Sequence, residues 1–157
     1  MDAGNFHIGA GDLKINSQSI GHTTPDGVVV NVEPDVHLHL SGKYGTTPVK
    51  AALKGYMVTV QVTMGETTLA NLQDAVAGAN QDAGKLQLGG LAGREIPGVS
   101  LTLEPYDDTE NWYFTNAVPS SPVEIAYQVE NERVYQVTFT AMVDENAAEA
   151  ENIGYAS

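Results

Sequence analysis

The chain has no cysteine in its 157 residues. That excludes a disulfide framework, a thiol nucleophile and a cysteine-based zinc site, and it fits a protein made or assembled in the cytosol. Positive charge is scarce: 7 Lys and Arg stand against 20 Asp and Glu, for a net charge of −13. Such a surface repels phosphates and argues against nucleic-acid binding through a basic groove. It leaves room for a role beside DNA in which adhesion would be harmful. No stretch approaches the ~20 apolar residues of a membrane-spanning helix. The opening Met1-Asp2-Ala3-Gly4-Asn5-Phe6-His7 lacks a basic region followed by an apolar run, so no signal peptide is expected.

What the chain does have is alternation. In residues 56–64, Tyr56, Val58, Val60, Val62 and Met64 fall on one side, and Met57, Thr59, Gln61 and Thr63 on the other. This is the period of a half-buried strand. The period then changes. Leu69, Leu72 and Val76 fall at i, i+3 and i+7, beside Ala75 and Ala79, so a helix is expected over 69–79. Thr67 or Thr68 is placed to cap it by accepting from an orphan backbone N–H.

Elsewhere the pattern is β. Short strands are expected at 12–15, 28–32, 85–88, 99–103 and 112–118. Val36, Leu38 and Leu40 are expected inward, with His37 and His39 outward, and Pro34 marks an edge or a bulge. Residues 123–129 and 135–143 read as one antiparallel hairpin around a turn at 130–132. Two stretches break the alternation. Residues 41–54 form a loop long enough to suggest function. The acidic C-terminal tail at 144–157 is expected to be partly mobile. The expected fold is a single mainly β domain over 1–157: an antiparallel β-barrel or sandwich with one flanking α-helix.

Two features of charge placement bear on function. Residues 56–64, 99–103, 112–118 and 134–143 include no charged side chain. Their polar positions include Thr59, Gln61, Thr63, Gln136, Thr138 and Thr140. Depletion of charge on a face otherwise free to meet water is a property of contact surfaces, and good β-formers on a solvated face would give the same composition. The second feature is segregation. Between Val36 and Gly65 there are three lysines, Lys43, Lys50 and Lys54, and no acid, whereas Glu104, Asp107, Asp108 and Glu110 form an acidic run. A basic loop and an acidic patch on one chain suit head-to-tail assembly; two solvated loops are the plainer alternative.

No set of side chains makes a persuasive catalytic centre. His37 and His39 lie two apart on a strand and could face one metal, with Glu33 and Asp35 at the same parity, but no third ligand has a recognisable spacing. Ser100 with His7 or His22 lacks a nucleophile elbow. Asp107, Asp108 and Glu110 lack the glycine-containing loop of an EF-hand. Gly89, Gly90 and Gly93 precede no helical stripe. Neither an enzyme nor a cofactor is expected.

The order of pieces along the chain resembles the tail tube (major tail) proteins of tailed bacteriophages. The pieces are Gly11-Asp12-Leu13-Lys14-Ile15; Ile20-Gly21-His22-Thr23; Gly27-Val28-Val29-Val30; Gly42-Lys43-Tyr44-Gly45-Thr46-Thr47-Pro48; Thr68-Leu69-Ala70-Asn71-Leu72; Leu101-Thr102-Leu103-Glu104-Pro105; residues 112–118; and Tyr135-Gln136-Val137-Thr138-Phe139-Thr140-Ala141-Met142-Val143-Asp144. The resemblance implies a fold similar to type VI secretion tube proteins, and homohexameric rings stacked into a hollow tube through which DNA leaves the virion. It implies a loop between rings, here 41–54 with Lys43, Tyr44, Thr46, Pro48, Lys50 and Lys54, and strands that join into a lumen wall. It also implies a place in the virion tail, assembly in the host cytoplasm, and tape measure, terminator and distal tail proteins as partners, with DNA only in transit and no membrane. Another ring component of a tail or secretion tube is the alternative within that architecture. A monomeric β-barrel binding a ligand, or a metal through His37 and His39, is the alternative outside it.

Overall fold

The computed structural model describes residues 11–21, 23–106, 110–130 and 132–157. Among the described residues ten strands and one α-helix follow in order: β1 (Gly11–Ile15), β2 (Gln18–Ser19), β3 (Thr23–Leu40), β4 (Pro48–Met64), α1 (Leu69–Ala75), β5 (Asn80–Asp82), β6 (Lys85–Gln87), β7 (Val99–Pro105), β8 (Trp112–Pro119), β9 (Tyr135–Ala141) and β10 (Tyr155–Ala156). Eight form one antiparallel sheet in the order β2-β1-β7-β8-β9-β4-β3, with β10 beside β8. The sheet is sandwich-like and does not close into a barrel, because β2 and β3 end it without pairing to each other. β5 and β6 make a separate hairpin whose turn residues, Ala83 and Gly84, both have positive φ, as a two-residue turn matched to strand twist requires.

One face of the sheet supplies the core. Leu13 and Ile15 of β1, Leu101 of β7, Phe114 and Ala117 of β8, Val137 and Phe139 of β9, and Val58, Val60, Val62 and Met64 of β4 are all buried. The period-two reading of β4 therefore holds from Val58 onward. The strand itself begins eight residues before the expected Tyr56, at Pro48.

The helix is shorter than expected. It runs from Leu69 to Ala75, and Val76 already has extended backbone, φ −99° and ψ 119°. Gly78 follows at φ +75°, a left-handed conformation that glycine adopts without Cβ strain. Thr68 caps the N-terminus, its side chain accepting from Asn71 N. Leu72 and Ala75 enter the core, but Leu69 is exposed and Asn71 takes the buried position instead. The Asn71 amide donates to Ile20 O at 2.9 Å and to Glu66 O at 2.7 Å, tying the helix to the chain just before it and to the distant segment that leads into β3. Asn71→Ala would leave two carbonyls without their donor inside the fold. Each such loss costs about 1–3 kcal/mol, so Asn71→Ala is expected to lower stability by roughly 2–4 kcal/mol, read as a shift in denaturant midpoint at constant slope.

One further expectation is corrected. Residues 123–129 form no strand. β9 instead pairs with β8 in the register Ala117↔Ala141, Val118↔Thr140 and Pro119↔Phe139, and with β4 on its other side. The intervening residues 120–134 are a long connection anchored at its start, where Ser120 N donates to Thr138 O and Thr138 N donates to Ser121 Oγ. The acidic C-terminal stretch comes back against the body of the domain. After a single 3₁₀ turn at Glu149–Glu151 it returns to the sheet, where Tyr155 pairs with Tyr113 and their rings stack at 5.1 Å. Gly154 sits so close to Phe114 that a Cβ there would lie 2.5 Å from the ring.

Candidate assembly surfaces

β3 and β4 are 18 and 17 residues long, about three times the usual strand. They outrun the body of the domain. Val28, Val30 and Val32 pair with Val62, Val60 and Val58 over the core. Beyond them the two strands continue as an arm to a tip at 41–47. From Val32 to Leu40 this is about 26 Å of chain at ~3.3 Å per residue. The loop expected over 41–54 is thus divided: 41–47 is the tip, and Pro48, Lys50 and Lys54 lie on β4. At the tip Tyr44 N donates to Ser41 O, Thr47 N donates to Tyr44 O, and the Lys43 ammonium stands 5.4 Å from the centre of the Tyr44 ring.

The arm has two unlike sides, because directly paired residues share a face. One continues the core face: Val32 with Val58, Pro34 with Tyr56, Val36 with Leu53, Leu38 with Ala51, Leu40 with Pro48. The other carries Glu33, Asp35, His37 and His39, with Lys50 opposite His39. Along the arm, register shifts skip Lys54 and Val49, so β4 bulges twice there against β3. Pro34 therefore sits in an edge strand one residue from a bulge, as its missing N–H demands. The expectation that Val36, Leu38 and Leu40 point inward is half right. They share the core face, but among the described residues no core side chain covers them, and with Val32, Leu53 and Tyr56 they are 43–60% exposed. Their exposure was missed because alternation names a face without saying what covers it. The available signal was length: two patterned strands of this size exceed what a domain of this size can cover.

The second surface is the outer face of the sheet over β4 and β9. Thr59 pairs with Thr140, Gln61 with Thr138, and Thr63 with Gln136, so the six uncharged polar residues singled out in the sequence share one face. Val29 and Asn31 extend the rank on β3, and the Ser120 and Thr140 hydroxyls extend it toward β8, 2.7 Å apart. The same side of the sheet differs at β1 and β7, where Lys14 Nζ lies 2.8 Å from Glu104 Oε2. That ion pair changes the reading of the acidic patch. Glu104 already has a partner in its own chain, Glu110 is exposed, and Asp107 and Asp108 lie outside the described residues.

The remaining candidates lead less far. His37 and His39 meet edge to face at 4.5 Å between ring centres, and among the described residues no group of three His, Asp or Glu could hold a metal. His7 and His22 lie outside the described residues, and the Ser100 hydroxyl stands 3.5 Å from Asn16 Oδ1. A cleft of about 370 Å³ lies between the end of α1 and the 94–99 segment, lined by Asp74, Asn80, Arg94 and Glu95 among others. Arg94 closes one side by donating to Gly78 O at 2.8 Å.

Burial holds the pKa of Asp74 above its ordinary 3.8. The folded state then binds this proton more tightly than the unfolded one, so stability falls as pH rises from the ordinary value through the raised one. Asp74→Asn is accordingly expected to stabilise the protein at pH 7 and to leave it unchanged near pH 3, checked by thermal melts at the two pH values.

No protein-family model matches the chain, and no curated protein does.

Proposed function

We propose that the chain is a self-assembling tube subunit, the tail tube protein of a tailed phage, in which rings of six copies stack into a hollow conduit for DNA. The observation that carries the reading is the arm. An amphipathic hairpin that extends past its own core, with six large apolar side chains half exposed, is unstable as a solvent-facing feature and suits burial on a neighbour. Covering those side chains would contribute on the order of 5 kcal/mol, taking about half the full-burial value for each.

Charge supports the same reading. Residues 36–65 hold three lysines and no acid, which makes +3; with −13 overall, the rest of the chain carries −16. The distal arm beyond Asp35, with lysines and no acid, reaching onto a body of the other sign favours contact between copies over contact within one. The uncharged rank of Thr59, Gln61, Thr63, Gln136, Thr138 and Thr140 suits a lumen wall or a contact between neighbours in a ring. Without Lys or Arg it would offer passing DNA few phosphate contacts. On this reading the partners are other copies, then the tape measure, terminator and distal tail proteins, and the place is the virion tail.

Lys43→Glu, Lys50→Glu and Lys54→Glu combined should keep the protein monomeric in sedimentation velocity under conditions where the parent polymerises, with an unchanged melting profile. Normal polymerisation of this variant would rule out the charge-complementary arm.

A further inference from the structure

The same chain contains a strand without a sheet and a sheet edge without a strand. Residues 123–129 alternate Val123, Ile125, Tyr127 and Val129 with Glu124, Ala126 and Gln128. This is as regular a strand pattern as any in the chain, yet these residues form no strand. Val123 packs against the core, Ile125 is partly exposed, Tyr127 is 83% exposed, and Val129 is fully exposed. Meanwhile β3 ends the sheet and, among the described residues, pairs only with β4. Its edge is not uniform. At 33–35 it carries Glu33, Pro34 and Asp35, and proline and inward charge block strand addition. At 36–40, Val36-His37-Leu38-His39-Leu40, neither proline nor acid protects it.

We propose that residues 123–129 of one copy add as a strand to the β3 edge at 36–40 of a second copy. The two elements cannot meet within one copy by extending the sheet. Residues 126–129 line one cleft with Gly65 and Thr67, just past the end of β4, and Arg133 of the same connection donates to Thr67 Oγ1, whereas the β3 edge at 36–40 pairs with residues 48–53 at the other end of β4. Donor and acceptor thus lie at opposite ends of β4, about 40 Å apart along the strand at ~3.3 Å per residue. Such an arrangement joins copies head to tail and closes into a ring when the rotation allows.

The faces also match. In the added strand the apolar side of Val123, Ile125, Tyr127 and Val129 would extend the arm's apolar side of Val36, Leu38 and Leu40. The acidic Glu124 and Glu130 would come to the side bearing His37, His39 and Lys50. Main-chain hydrogen bonds would supply the affinity, and the alternating side chains the register.

This inference rests on the self-assembly reading, and the cysteine-free chain offers a test that separates the two. Single variants Leu38→Cys, Ile125→Cys, Tyr127→Cys and Glu124→Cys are prepared and mixed in pairs under assembly conditions, then oxidised. Leu38→Cys is expected to crosslink with Ile125→Cys or Tyr127→Cys at least tenfold more than with Glu124→Cys, which presents its sulfur to the other face. Hydrogen exchange of the unaltered protein provides a second reading: amides at 123–129 should slow at least tenfold on assembly. Assembled particles with no face-selective crosslink and no added protection would overturn strand addition while leaving self-assembly intact. Failure of every variant and of the parent to assemble would overturn both.

Discussion

A charge placed on the exposed apolar side of the arm is expected to abolish assembly and leave the monomer folded. The variant is Leu38→Glu with Leu53→Glu. The two residues are diagonal neighbours on one face, since Val36 pairs with Leu53 and Leu38 with Ala51. Both are more than half exposed in the single copy, at 52 and 56%. Ionised carboxylates there remain hydrated in the monomer, so its melting temperature should move by no more than about 2 °C. Burying them unpaired on a neighbour would cost several kcal/mol, and each 1.4 kcal/mol is tenfold in affinity. The concentration needed for assembly should rise at least 100-fold, measured by pelleting across a dilution series. An arm that serves only its own copy would give the opposite pair of results, with assembly kept and the melt altered.

Phe139→Ala is expected to be the most damaging single change to the fold. Phe139 is fully buried and is the largest such side chain. It stands in β9, between the Val60 strand on one side and Pro119 on the other. Truncating a buried phenylalanine costs about 3–5 kcal/mol from lost transfer energy and an unfilled cavity. For a chain of this size that is roughly 8–15 °C in melting temperature. The same change should depress assembly only through the fraction unfolded, so cooling should restore it. The arm variant should show no such rescue.

Much of this fold was legible because β structure writes its two faces into the sequence at period two. The Val58-Val60-Val62-Met64 stripe and the Thr59-Gln61-Thr63 face both follow from alternation, and strand pairing then sets the second beside Gln136, Thr138 and Thr140. Alternation could not tell which patterned segments find partners. Residues 123–129 read as the partner of β9, whereas β8 takes that place. There the buried Ala117 pairs with the partly buried Ala141 beside the core. Nor could it tell a covered face from an uncovered one, which is why Val36, Leu38 and Leu40 looked like core.

Local rules had a similar reach. The Thr68 cap could be read from its hydroxyl and position, but the helix ended early because Val76 is extended and Gly78 turns left-handed. Composition alone suggested a mobile C-terminus. The contact of Gly154 with Phe114 and the stacking of Tyr155 on Tyr113 are long-range fits that acidic content does not encode. Among the assembly surfaces, the lysines and the uncharged rank were visible in the sequence, and the continuous apolar side of the arm was not.

The central claim, that this chain builds a hollow tube from rings of itself, is tested most directly by end-on class averages of the purified protein in negative stain. The account predicts rings or tubes with a central hole and six subunits around it. A protein that stays monomeric at high concentration, with no rings or tubes on ageing, would contradict it.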